Sequence, residues 1–179
     1  VIRRLAFNDD REDGRLCACS LLSARISEIN EELTPMEREE LVQYNLDRLE
    51  SSDYQSHKDA IGFFGMLGDS SKIQIIHDNL THERASIRSA AVKAIGLLED
   101  IGSLQMLIEM LKSDKNQHVR AKIIQALGML GSPQSVNPLI EVLKENVKVI
   151  RRNAVRSLGI LGGAEAIAPL SEVAEQDKH

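Results

Sequence analysis

Histidines, cysteines, paired carboxylates and a glycine-rich run are the residues through which this chain could do chemistry. Their spacing argues against most of it. Gly62-Phe63-Phe64-Gly65-Met66-Leu67-Gly68 is glycine-rich, but its G-x-x-G-x-x-G rhythm is neither a dinucleotide fingerprint nor a Gly-Lys-Ser phosphate loop, and it lies in a helical stretch. Its glycines are read as points of close helix packing. His77 and His82 are five apart and straddle a helix end, whereas two metal ligands on one helix face need a spacing of four; no H-E-x-x-H occurs. His57 and His118 stand at helix starts, as caps or surface residues. Glu99-Asp100 is expected to be a solvated helix end. No G-x-S-x-G elbow is present. The expectation is no catalytic residue, no metal and no cofactor.

The cations are more informative. Segments 87–98, 119–130 and 150–161 carry Arg88, Lys93, Arg120, Lys122, Arg151, Arg152 and Arg156, and no acid. Lys93, Lys122, Arg152 and Arg156 fall at helical offsets opposite Ile123, Leu127, Val155 and Leu158, so they share an exposed face, with Gln125 among them. Such a face could hold an acidic peptide, an acidic protein surface or a phosphate backbone; it could also be a solvated face that keeps the chain dissolved. Met66, Met129 and Ile160 lie near the same edge, where packing between helices is the expected use.

The elements that position these residues follow from a repeat. Val119-Arg120-Ala121-Lys122 to Gly131 recurs as Ile150-Arg151-Arg152-Asn153 to Gly162, 31 residues on, and the period of 31–32 runs back through Ile87-Arg88 and Gly96 to Gly65. A fixed period of that size predicts stacked helix pairs. Helices are expected near 56–67, 70–81, 84–98, 101–112, 117–130, 133–145, 147–161 and 164–176. Gly68, Gly102, Gly131 and Gly162 are expected to end helices. Pro138 and Pro169, 31 apart, are expected to bend helix interiors. Upstream, residues 1–10 read as the end of a truncated repeat and about 12–29 as a helix. Thr34-Pro35-Met36-Glu37 reads as a helix start. Arg15 to His57 spans 42 residues, which gives the 11–55 unit an insertion of about ten, centred on 27–35. From 56 to 176 the repeats are regular, and the whole of 1–179 is read as one repeat domain, a piece of a longer chain.

Composition agrees. Of 179 residues, 42% are hydrophobic and 27% charged, but only 3% are aromatic, which suits thin two-helix layers better than a thick core. No apolar run is long enough to span a bilayer. Cys17 and Cys19 point to different sides of a helix and are not expected to pair, so a cytoplasmic, reducing compartment is the expectation. The net charge of −5 disfavours non-specific nucleic-acid binding by the chain as a whole.

Pro138 and Pro169, an acidic or amide residue in the turn within each pair, and a Val/Ile-Arg opening the second helix resemble HEAT repeats. The Leu-Gly-x-Leu-Gly ending resembles the short subclass of phycobilin lyase subunits. This resemblance implies an all-α right-handed solenoid of about five antiparallel helix pairs, with each second helix on the concave side. It also implies a structural ladder of turn acids and following arginines, matched here as Asp114 with Arg120, Asn146 with Arg151, Glu83 with Arg88, and less regularly Asp53 with His57 or Lys58. The cations then left for the concave face are Lys93, Lys122, Arg152 and Arg156. The function implied is a non-enzymatic scaffold or adaptor that binds a protein or acidic peptide. A nucleic-acid-binding protein, disfavoured by the lack of aromatics for base stacking, and an enzyme accessory of the lyase kind are the alternatives.

Overall fold

The computed structural model describes residues 34–176 of the chain. The expectations for residues 1–10, the 12–29 helix, Cys17 and Cys19 and most of the 27–35 insertion lie outside those residues. Among them are nine α-helices and no strand: α1 Pro35–Leu49, α2 Tyr54–Leu67, α3 Ile73–Asp78, α4 Ala85–Leu98, α5 Leu104–Ser113, α6 Gln117–Met129, α7 Val136–Leu143, α8 Lys148–Leu161 and α9 Ile167–Gln176. Polar side chains start many of them. Thr34 and Glu37 form a reciprocal capping box with Pro35 in the first turn, as the sequence predicts. Asp53 caps α2, Asn116 caps α6 and Ser132 caps the turn before α7 by accepting from the next backbone N–H groups.

The helices pair off along the chain, and each pair packs on the next. The second helices α2, α4, α6 and α8 pack in succession, α2 on α4, α4 on α6 and α6 on α8. That contact is made close by a glycine column at the repeat period. A Cβ on Gly65 would lie 2.6 Å from the Cα of Ala94, and one on Gly128 would lie 2.7 Å from Ser157 Oγ. Gly96 faces Ala126 and the Met129 sulfur. The packing role expected of the Gly62–Gly68 run thus belongs to Gly65; nothing lies within 4 Å of a Cβ at Gly62, and Gly68 is the left-handed end of α2. Between the rows runs one apolar core from Leu41 to Ala166, in which Ile61, Phe64, Ile95, Ile123, Leu127 and Leu139 are fully buried. Each such side chain contributes about 1.5–3 kcal/mol.

Three expectations need correction. Pro138 and Pro169 are each the third residue of an α-helix that follows a one-turn 3-10 helix (Pro133–Ser135 and Ala164–Ala166), so they sit in a first turn where a missing N–H costs little. The same break occurs at Ser70–Lys72 and Ile101–Ser103, where the helix that follows has no proline, so proline does not cause it. Val155, expected inward, is 37% exposed, although its counterparts Ile61, Val92 and Ile124 are fully buried; each of those is covered by a following second helix, and α8 is the last one described.

The third concerns the turn. Gly68, Gly131 and Gly162 do end helices at φ near +70°, but Gly102 lies inside a 3-10 turn, and the left-handed residue of that layer is Glu99, at φ 51°. Its position is 31 after Gly68 and 32 before Gly131. An L side chain in this conformation costs about 1–2 kcal/mol, and a carboxylate at a helix C-terminus opposes the dipole. Glu99→Gly is therefore expected to raise stability by about 1 kcal/mol, read as a higher urea midpoint at unchanged slope.

Candidate functional site: a lysine-lined groove and an arginine ladder

The arginine that opens α4 has all three of its nitrogens engaged. Arg88 Nη1 donates to the carbonyls of His82 and Glu83 (2.8 and 2.9 Å), which lie in the turn before its own helix. Its Nε and Nη2 form a fork on Asp114 in the next layer's turn, at 2.7 and 3.1 Å. Arg120 repeats the arrangement one layer on. Its Nε donates to the carbonyl of Leu111 (3.0 Å) and its two Nη groups clasp both oxygens of Glu145. Arg151 donates to the Glu145 carbonyl at 2.9 Å. Arg88 and Arg120 thus each tie carbonyls that precede their own helix to an acid one layer ahead, a planar bidentate contact that lysine cannot reproduce.

The ladder therefore has a different register from the sequence matching. Asp114 pairs with Arg88, 26 residues back, rather than with Arg120. Glu145, not its neighbour Asn146, is the second acid, and Asn146 is exposed. Glu83 contributes its backbone carbonyl. The earlier pair departs further: Asp53 is spent capping α2, while His57 Nε2 meets Asn79 Oδ1 at 2.7 Å and its ring lies edge-on to His82. The carboxyl of Asp114 is pulled both ways. Burial favours the neutral acid, but the Arg88 fork and the N–H of Asn116 outweigh it and hold the group below the ordinary carboxylate range. The fork correspondingly raises Arg88, and Glu145 raises Arg120.

A second polar cluster was invisible in the sequence. His77 Nε2 meets Ser103 Oγ at 2.6 Å, and Ser103 donates to Asp100 at 2.5 Å. Asp100 is thus no freely solvated helix end. The carboxylate lies 3.9 Å from the same imidazole nitrogen as the hydroxyl, not at the opposite ring nitrogen as a nucleophile relay requires. Ser103 is wholly buried, and the cluster joins α3 to the 3-10 turn of the following layer. No grouping of three or more metal-ligating side chains occurs among the described residues, and none of their helices is long and apolar enough to cross a membrane.

On the face of the second helices, α2, α4 and the start of α6 enclose a groove of about 460 Å³. Small residues make the depression: Gly62, Ala85, Ser86, Ser89 and Ala90 line it. Lys58, Lys93 and Lys122 also line it, with His118 at the far lip. The one carboxylate there, Asp59, is held by Arg48 of α1 at 3.4 Å and by Gln55 at 2.8 Å. Of the five side chains selected from the sequence, Lys93 and Lys122 share this groove. Gln125 sits beside Lys122 (3.3 Å) and donates across to Asn153 of α8 at 2.8 Å. Arg152 and Arg156 are exposed on α8, on the continuation of that surface, and do not line the groove. Lys58 escaped the sequence reading as a groove residue, although its register is that of Arg152, three periods earlier. Of the residues expected to pack between layers, Met66 lies against the core and Met129 turns its sulfur toward Gly96 of the preceding layer while staying 48% exposed, whereas Ile160 is 65% exposed.

A stack of antiparallel helix pairs with one side chain ladder and one open face defines an α-solenoid repeat protein. The HEAT-repeat family model matches residues 42–127 and 104–179, and the chain belongs to that family. Among solved structures, an engineered protein superposes with a TM-score of 0.61 at 16% identity, over 97% of this chain and 84% of that one. Human deoxyhypusine hydroxylase in complex with glycerol gives 0.53 at 18% identity, over 96% and 65%. Computationally designed armadillo repeat proteins for modular peptide recognition give 0.53 at 18% identity, over 97% and 86%. At these identities the likeness is one of fold. No curated protein matches the chain.

Proposed function

We propose that this chain is a non-enzymatic interaction scaffold that holds an acidic segment of a protein partner against the face formed by α2, α4, α6 and α8. The observation that carries this is the groove with Lys58, Lys93 and Lys122 on its walls and its one carboxylate already matched to Arg48. Arg152 and Arg156 extend the cationic surface along the stack. HEAT-type repeats generally mediate protein interactions, and an open face several layers long suits an extended partner better than a small substrate. One solenoid that this chain resembles was designed for peptide recognition, which supports the same use of the face. Positive potential whose one lining carboxylate is already paired attracts a partner of opposite charge and gives the association a marked salt dependence.

The test is affinity capture with the wild type and with Lys93→Glu, Lys122→Glu, Arg152→Glu and Arg156→Glu combined. These side chains are at the surface or half-buried and outside the ladder, so the variant should keep its helical circular dichroism. Acidic partners held at physiological salt should be lost from the variant. An unchanged partner set overturns the proposal; a salt-sensitive gel shift with single-stranded oligonucleotides, lost in the variant, would replace it with nucleic-acid binding.

A further inference from the structure

Four side chains at one register of the repeat form an apolar row along the edge of the core, more exposed from layer to layer. Met66, Leu97, Met129 and Ile160 are spaced 31, 32 and 31 residues apart, one near the end of each second helix. Met66 is half-buried, and Leu97, Met129 and Ile160 are 40%, 48% and 65% exposed. In the column beside them, Gly65, Gly96 and Gly128 are buried, and only Gly159 of the last layer is exposed. The row is therefore a surface feature repeated layer by layer, not an accident of one exposed residue. Scattered surface hydrophobics need no explanation, but an aligned series on neighbouring helices does.

One helical turn before each member comes Gly62, Lys93, Gln125 or Arg156, on the same helix face at a spacing of four. Each layer thus offers a pair: a small, polar or cationic position and an apolar position beside it. Two parallel rows cross the stack, and the α2–α4 part of both lies within the lysine-lined groove, since Met66, Leu97, Gly62 and Lys93 all line it.

We infer that this double row binds an extended peptide segment in which apolar residues recur about every third position and acidic residues stand beside them. The inference rests on the proposed use of this face for an acidic partner, and it adds the apolar half and the period. Packed helices lie about 8–10 Å apart, and an extended chain in the polyproline II conformation rises about 3.1 Å per residue with three residues per turn, so residues three apart share a face and stand one layer apart. Four apolar positions, three steps apart in layers, match a segment of about ten residues. Met and Leu are flexible enough to accept several apolar side chains. Occupation by a helix is less suited, because its rise of about 1.5 Å per residue would need six or seven residues per layer and would present only alternate turns.

The test is selection from a random 12-residue peptide display library on three proteins: the wild type, the row variant Leu97→Ser/Met129→Ser/Ile160→Ser, and the charge variant described above. Wild type should enrich peptides with Asp or Glu and with Leu, Ile, Met, Val or Phe recurring at intervals of three. A fluorescein-labelled synthetic copy of the most enriched peptide should bind the row variant roughly ten-fold or more weakly. A conservative variant, Leu97→Met/Met129→Leu, should keep the binding and shows that truncation, not misfolding, is responsible. Enriched peptides that are acidic but carry no apolar period overturn this inference and leave the scaffold proposal standing. If no peptide is enriched on the wild type over the charge variant, both fall. Concentration-dependent self-association of the wild type in sedimentation, abolished in the row variant, would show that a second copy covers the row and would also overturn the inference.

Discussion

Gly65→Ala destabilises this protein by about 1–3 kcal/mol, while the same substitution at Gly159 stabilises it by about 0.5–1 kcal/mol. Both glycines are in second helices at one register of the repeat, and intrinsic helix propensity favours alanine at each. The difference lies in what waits outside the Cα. A methyl on Gly65 would come within 2.6 Å of both the Cα and the Cβ of Ala94, and backbone cannot step aside as a side chain can. The α2–α4 distance must grow, loosening fully buried neighbours such as Ile61 and Phe64. At Gly159 nothing lies within 4 Å. Urea denaturation of the two single variants measures the contrast directly; equal effects at the two sites would show that propensity, not interlayer contact, governs the column.

Asp114→Asn costs about 1.5–3 kcal/mol at neutral pH and nothing extra in acid. The carboxylate accepts two bonds from Arg88 and one from the N–H of Asn116, and only 4% of its side chain is exposed. An amide keeps the shape but not the charge, and leaves a guanidinium with 18% exposure short of its counter-ion. The pH dependence follows from the lowered acidity constant. A group whose folded value lies below its unfolded value stabilises fully above the unfolded value, near 4, and loses that contribution as pH falls through the folded value. Urea midpoints of wild type and variant should therefore differ most above about pH 5 and converge as the solution is acidified below the ordinary carboxylate range. A constant gap down to low pH would place the effect in packing.

The fold was legible because the apolar pattern and the glycine period both repeat at 31–32 residues, and a layered stack is what lets each copy meet the same environment. Helix ends were legible where the turn used glycine. At Glu99 the layer keeps the left-handed geometry with the wrong residue type for it, so Gly102 attracted the assignment instead. The ladder arginines were found, but their partners were not. Sequence adjacency favours Asp114 with Arg120, six residues apart, whereas the arm of Arg88 reaches forward across the layer boundary. Only the three-dimensional offset between successive layers decides that, and no linear spacing encodes it. The same blindness hid the cluster of His77 with Ser103 and Asp100, since His77 comes from the layer before. Lys93 and Lys122 were recognisable because helix periodicity alone aims them outward. Lys58 was assigned to the wrong structure because Asp53 and His57 had broken the motif around it.

The glycine column has a consequence for how the open face responds to an occupant. Where the glycines fall, one second helix comes close to the next with little room to give, so the tilt of one layer is handed on to its neighbour with little damping. Small rotations then add along the array, like the play in a row of hinged slats. A guest touching one slat meets a local patch, while a guest spanning four fixes three hinges at once and sets the pitch of the whole blind.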